Sequence, residues 1–277
     1  MKNLPIGMID SGVGGLTVLK EAMHHLPNES FYYVADTAHC PYGSKSTHDI
    51  KQYVWQMIQF LLNKKIKLLV LACNTASAIF LKDLEKELSI PVIGVIQPGS
   101  QKAVTVTQNE RIAVIATEAT IQNGEYERSI KQLNADIQFK GLSCPTFVQL
   151  VESERYLLPS AQAEVDEVLS PLKDFEMDTL VLGCTHYPLL RPQIEQSIAK
   201  DVQIVDAGVE SVEIIIQTLL HNKISRDITS THPEVKFFTT GEKHGFEAIG
   251  KRWLNRKQMQ VEQIEPGQLE GFVWKKK

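Results

Sequence analysis

The chain has only four cysteines among its 277 residues: Cys40, Cys73, Cys144 and Cys184. Thiols this few and far apart do not make a disulfide framework. No Cys-x-x-Cys pair occurs, so a structural zinc site has little support and no metal is expected. Long hydrophobic runs are missing too. No apolar segment approaches the ~20 residues of a membrane helix. An acid at Asp10 arrives before a secretory hydrophobic core could form. A cytoplasmic protein with reduced thiols and no membrane partner is expected. Nor is there an excess of one charge: 29 Lys and Arg stand against 33 Asp and Glu, a formal net charge of −4. The basic stripe of a nucleic-acid binder is absent, and no nucleic-acid partner is expected. The lysines at 275–277 read as a solvated tail.

What the chain has is apolar content, 43% hydrophobic, enough for one large domain or two small ones. Short runs rich in Val, Ile and Leu fall at 6–9, 31–35, 68–72, 92–96, 112–116, 179–183 and 202–205. They do not alternate, which suits strands covered on both faces. Between them, Ile50, Tyr53, Val54, Met57, Ile58, Leu61 and Leu62 follow helical spacing, as do Leu16, Leu19, Met23 and Leu26, and Ala76, Ile79, Phe80, Leu84 and Leu88. Strand alternating with helix predicts an α/β fold with mostly parallel sheets.

The sequence also echoes itself. Leu69-Val70-Leu71-Ala72-Cys73-Asn74-Thr75 resembles Leu180-Val181-Leu182-Gly183-Cys184-Thr185-His186, and Cys40-Pro41 is matched by Cys144-Pro145 in the same order. We read two related, doubly wound α/β domains with pseudo-two-fold symmetry. Turn chemistry at Gln97-Pro98-Gly99 and at Asp206-Ala207-Gly208 marks the boundaries. One domain is then 1–97 plus 207–277 and the other 98–206, with the active site in the cleft between them.

In open parallel sheets, ligands bind at the carboxyl ends of the strands. Cys73 and Cys184 both sit there, each followed by polar residues and a helix start. Such a start favours anions and makes a thiolate more available. A single cysteine at such a place is more often core filler; two at matching places favour function. Asp10 ends the first strand, where a carboxylate is costly unless it is hydrogen-bonded or functional, or caps the next turn. The glycine-rich stretch after it is neither G-x-G-x-x-G nor a P-loop, so a nucleotide site is weakly supported. His186, two residues from Cys184, is a candidate proton donor or charge partner. These residues alone describe a two-thiol enzyme of open substrate.

Taken together, Asp10-Ser11-Gly12-Val13-Gly14-Gly15-Leu16-Thr17, Pro41-Tyr42-Gly43, Ala72-Cys73-Asn74-Thr75-Ala76, Leu150-Val151-Glu152 and Gly183-Cys184-Thr185-His186-Tyr187-Pro188 resemble the glutamate racemase family over nearly the whole chain. The resemblance implies cofactor-independent, two-base proton transfer. Cys73 takes the α-proton of D-glutamate and Cys184 that of L-glutamate, supplying D-glutamate for peptidoglycan. It places Asp10 beside Cys73, and Glu152 and His186 beside Cys184, as further catalytic residues. It assigns substrate binding to Asp10, Ser11, Tyr42, Gly43, Asn74, Thr75, Thr117, Thr120, Thr185 and His186. It implies no pyridoxal phosphate, no metal and a homodimer. His39, Lys45 and Ala207 depart from the family's usual residues. The competing readings are an aspartate or broader amino-acid racemase, a thiol hydrolase using Cys184 and His186, and a glutamate-binding protein without turnover. A direct Cys184–His186 pair would need the chain to stay extended there.

Overall fold

The computed structural model describes residues 2–227 and 232–275; Lys276 and Lys277 of the tail lie outside the described residues. The first stretch of the chain runs β1 (Ile6–Asp10), α1 (Leu16–His25), β2 (Phe31–Ala35), α2 (Thr47–Asn63), β3 (Leu68–Leu71), α3 (Asn74–Glu87), β4 (Val92–Gly94) and α4 (Ile96–Val106). It continues with β5 (Arg111–Ala116), α5 (Glu118–Asn123), α6 (Glu125–Leu133), β6 (Gln138–Ser143), α7 (Pro145–Glu152), α8 (Ala161–Leu169), β7 (Thr179–Gly183), α9 (Arg191–Ser197), β8 (Gln203–Asp206) and α10 (Ala207–His221). It closes with β9 (Val235–Thr239), α11 (Lys243–Trp253) and β10 (Val261–Gln263).

Among the described residues the strands form two parallel sheets, ordered β10-β9-β2-β1-β3-β4 and β6-β5-β7-β8. The block β2-β1-β3-β4 has the same order as the whole second sheet. Met8 pairs with Val70 in one and Val114 with Val181 in the other, so the sequence echo has a counterpart in topology. β1, β3 and β7 are buried along their whole length. That is why their sequences show unbroken apolar runs. β6 is an edge strand with partly exposed residues and carries Lys140 and Gly141, so no apolar run announces it.

The helices form where apolar period and caps agree. Ser46 caps α2, its hydroxyl accepting from the Asp49 N–H at 3.1 Å, and Ile50, Val54, Met57, Ile58 and Leu61 are buried below it. Asp206 caps α10 by accepting from the N–H groups of Gly208 and Val209. One expectation fails at Gln97-Pro98-Gly99. The run at 92–96 ends as a strand at Gly94, and these three residues lie in the first turn of α4. A proline is tolerated in a first turn because its missing N–H has no intrahelical partner to lose. Gly99 has a second role. A Cβ there would lie 2.7 Å from the Ala207 Cβ, so the small pair lets α4 and α10 cross closely. No helix among the described residues is long and apolar enough to cross a membrane.

Candidate active site

β3 and β7 hold equivalent places in their sheets, and each delivers a cysteine from its carboxyl end. Cys73 follows β3 as the N-cap residue of α3, and Cys184 follows β7 at a turn. Both thiols are buried, 5% and 7% exposed, and both open onto one small, tightly closed cleft. Ser11, Tyr42, Gly43, Asn74, Thr75, Thr117, Thr185 and His186 line it with them. The other expected residues, Asp10, Thr120 and Glu152, stand one side chain behind that lining.

The two thiols have different surroundings. The Cys73 thiol donates to Ser11 Oγ at 3.8 Å. Burial first, and then the charge of Asp10, push Cys73 up to about 12, against hydrogen bonds from the Ala76 N–H and Ser11. Asp10 itself is pushed up to about 6 by burial. The nearby His186 charge, the N–H groups of Gly12 and Gly15 and the Thr185 hydroxyl hold it partly down. Gly12 N–H and Thr185 Oγ1 donate to its two oxygens at 3.0 and 3.3 Å.

Around Cys184 lies a relay. Its Sγ is 3.7 Å from His186 Nδ1, and His186 Nε2 is 2.7 Å from Glu152 Oε1. The contact does not use an extended chain. His186 has helical backbone angles, and the turn between the two residues swings the ring back toward the sulfur. Burial opposes a charge on His186, but its hydrogen bonds to Cys184 and Glu152 and their negative charges raise it well above the ordinary imidazole value. Burial likewise opposes the Glu152 carboxylate, and hydrogen bonds from His186, Cys40 and the Val13 N–H hold it below its ordinary value.

The hydroxyls of Thr75, Thr117 and Thr120 lie 2.9–3.1 Å from one another, joining α3 to the N-cap and first turn of α5. Tyr42 also lines the cleft, with its hydroxyl engaged outside it. Its hydroxyl donates to Asp36 Oδ2 at 2.6 Å, so the phenol is occupied and Tyr42 offers the cleft its ring wall. Asn74 has one side committed as well, its Oδ1 accepting from the Tyr126 hydroxyl at 2.5 Å. Glycine lets the halves meet. A Cβ at Gly14 would collide with Thr185 Oγ1 and come within 2.6 Å of His186 Nδ1, and one at Gly43 would lie 2.8 Å from the Thr117 Cβ. The sequence reading missed Val148, which lines the cleft from α7, and Cys40, whose thiol donates to Glu152 Oε1 at 3.7 Å. The paired Cys-Pro motif was the signal that could have drawn attention to Cys40.

The family model for Asp/Glu/hydantoin racemases matches residues 9–215, which include both thiols, Asp10, Glu152 and His186. The chain belongs to the Asp/Glu/hydantoin racemase family. It is 48% identical to a glutamate racemase from Carnobacterium over 96% of this chain and 100% of that protein. Its structure matches the glutamate racemase isoform RacE1 of Bacillus anthracis with a TM-score of 0.92, at 40% identity, over 96% and 99% of the two chains. It matches a glutamate racemase from Francisella tularensis in complex with D-glutamate with a TM-score of 0.88, at 33% identity, over 95% and 98%. In all three the match runs through both sheets of the present fold, so the two-domain architecture of the racemases is its architecture.

Proposed function

We propose that this protein racemises glutamate without a cofactor, by two-base proton transfer between Cys73 and Cys184. The observation that carries the reading is the pair of buried thiols at equivalent strand ends, both lining one cleft. Relatives named glutamate racemase over nearly the full chain support glutamate as the substrate. In the L-to-D direction, the Cys184 thiolate takes the α-proton. The C–H electron pair stays on the α-carbon and delocalises into the carboxylate, leaving a planar intermediate. The Cys73 thiol then gives its proton to the opposite face. The raised pKa of Cys73 supports a thiol that carries its proton and can donate it. In the D-to-L direction Cys73 must become the base. The ammonium of a bound amino acid then supplies a positive charge to offset Asp10.

Asp10, His186 and Glu152 set the charges on either side of this path. Ser11, Asn74, Thr75, Thr117, Thr120 and Thr185 supply hydrogen bonds to substrate, together with the start of α3, whose free N–H groups favour a carboxylate. Tyr42 and Gly43 shape the wall. A low-polarity, preorganised cleft is what removal of so weakly acidic a proton requires. The two halves that meet at this cleft are 1–97 plus 207–277 and 98–206. The protein acts in the cytoplasm as a homodimer, and its D-glutamate serves peptidoglycan synthesis.

A second reading has an observation of its own: sulfur, imidazole and carboxylate in series from Cys184 through His186 to Glu152, the layout of a thiol hydrolase. The two readings separate on Cys73. Following optical rotation of L-glutamate with dialysed protein, Cys73→Ser and Cys184→Ser should each lower turnover by a factor of about 10³ or more, the range of removing an essential acid or base. Normal racemisation by either variant contradicts the two-base reading. Turnover of aspartate at a rate equal to glutamate would move the substrate assignment to a broader racemase.

A further inference from the structure

Three donor atoms of different chemistry converge just behind the cleft. Cys40 Sγ, Glu152 Oε1 and His186 Nε2 all lie within 4.8 Å of one another. They come from three distant segments: the loop after β2, the end of α7 and the turn after β7. The Cys40 sulfur is 3.7 Å from Glu152 Oε1, and the imidazole nitrogen is 2.7 Å from the same oxygen. A tetrahedral zinc ion bound by S, N and O sets its donors about 3.3–3.6 Å apart, from metal–ligand distances of about 2.0–2.3 Å. The sulfur–oxygen pair has to close by roughly 0.1 Å, and the imidazole has to open by roughly 0.6 Å.

The surroundings leave room and access. Gly12 sits over the cluster, and a Cβ there would lie 3.0 Å from both Cys40 Sγ and Glu152 Oε1. The absence of that carbon keeps the space beside both donors open. The Glu152 side chain is 32% exposed, so the cluster reaches solvent. Its electrostatics also suit a dication. Without one, burial and the Glu152 carboxylate keep Cys40 protonated. With one, a thiolate and a carboxylate balance its two positive charges, and a neutral imidazole completes the set. Binding releases the Cys40 proton and one His186 proton to solvent.

We propose that Cys40, Glu152 and His186 form an inhibitory site for a thiophilic divalent cation of the zinc class. The ion would fasten the loop after β2 to the second sheet's side of the cleft. It would also take the imidazole that stands beside Cys184 out of the proton path. The ion takes no part in the proposed reaction, but its site shares Glu152 and His186 with it. Its inhibitory consequence rests on the racemase reading, whereas the binding itself does not.

The test titrates the reduced, full-length protein with Co²⁺ and reads the thiolate-to-cobalt charge-transfer absorption, then measures Zn²⁺ inhibition of racemisation against each variant's metal-free rate. The wild type and a Cys73→Ser/Cys184→Ser double variant should both give the band at one Co²⁺ per chain. Cys40→Ala should lose it and need at least tenfold more Zn²⁺ for half-inhibition. Cys40→Ser, which keeps the volume, should bind Co²⁺ without the band and guards against a folding defect in Cys40→Ala. A band that persists in Cys40→Ala, a band that vanishes in the double variant, or no band in the wild type would overturn the site. Cobalt binding as expected in a protein without racemase activity would leave the site standing and defeat the enzymatic reading instead.

Discussion

Asp10 is the residue whose environment is most at odds with its charge. It is 1% exposed at the end of β1, and its carboxyl is raised from 3.8 to about 6 by burial. A raised carboxyl stabilises the fold in its neutral form. That contribution is complete below about pH 4 and is lost as pH rises through about 6. Above that, the ionised side chain costs about 3 kcal/mol, at roughly 1.4 kcal/mol per unit of displacement. Asp10→Asn should therefore melt higher than the wild type at pH 8, with the difference shrinking toward pH 4, as followed by circular dichroism. An equal difference at both pH values would show that Asp10 is not held as described. Keeping so costly a group at a strand end fits a functional role better than a capping one. The His186–Glu152 pair works the other way. Glu152, held low, stabilises above its ordinary 4.5 and is lost as pH falls through its folded value. His186, held high, stabilises below 6.5 and is lost only as pH rises through its folded value. The pair is intact across neutral pH, the range in which the proposed relay through Cys184 is used.

At the scale of elements, the site is made by strand ends and by the loops that close over them. β1, β3 and β7 were legible because burial on both faces writes an unbroken apolar run, and α1, α2 and α3 because one buried face writes a helical period. β6 was not, since an edge strand needs no such run. Nor was the start of α4, since Pro98 and Gly99 read as a turn until Ala207 is seen packed against Gly99. Gly14 shows what the glycine-rich loop is for. Gly14→Ala would drive a methyl group into Thr185 and His186. We expect it to fold, with sheets intact by far-ultraviolet circular dichroism, and to lose on the order of 10²-fold in kcat/KM, the scale of a misplacement near 1 Å. Wild-type activity in Gly14→Ala would mean that the loop is free to move away from the second sheet's residues.

Across the whole molecule, repetition was readable and assembly was not. The matched Cys73 and Cys184 motifs foretold two equivalent strand ends, and the shared strand order of the two sheets bears that out. Contacts between distant segments left no trace in spacing: Cys40 against Glu152, and Thr75 among Thr117 and Thr120. Such contacts arise only when the halves close on each other, and they decide which hydroxyls and thiols remain available to a ligand. The central claim is that two thiols on opposite faces share one proton transfer. It is tested most directly by incubating L-glutamate with the protein in D₂O and stopping early. The two enantiomers are then separated and α-deuterium is scored by mass. The account predicts deuterium in the D-glutamate formed and almost none in the recovered L-glutamate, because the proton removed by Cys184 is replaced from Cys73. Deuterium arriving equally early in both enantiomers would mean that one base serves both faces, and would contradict it.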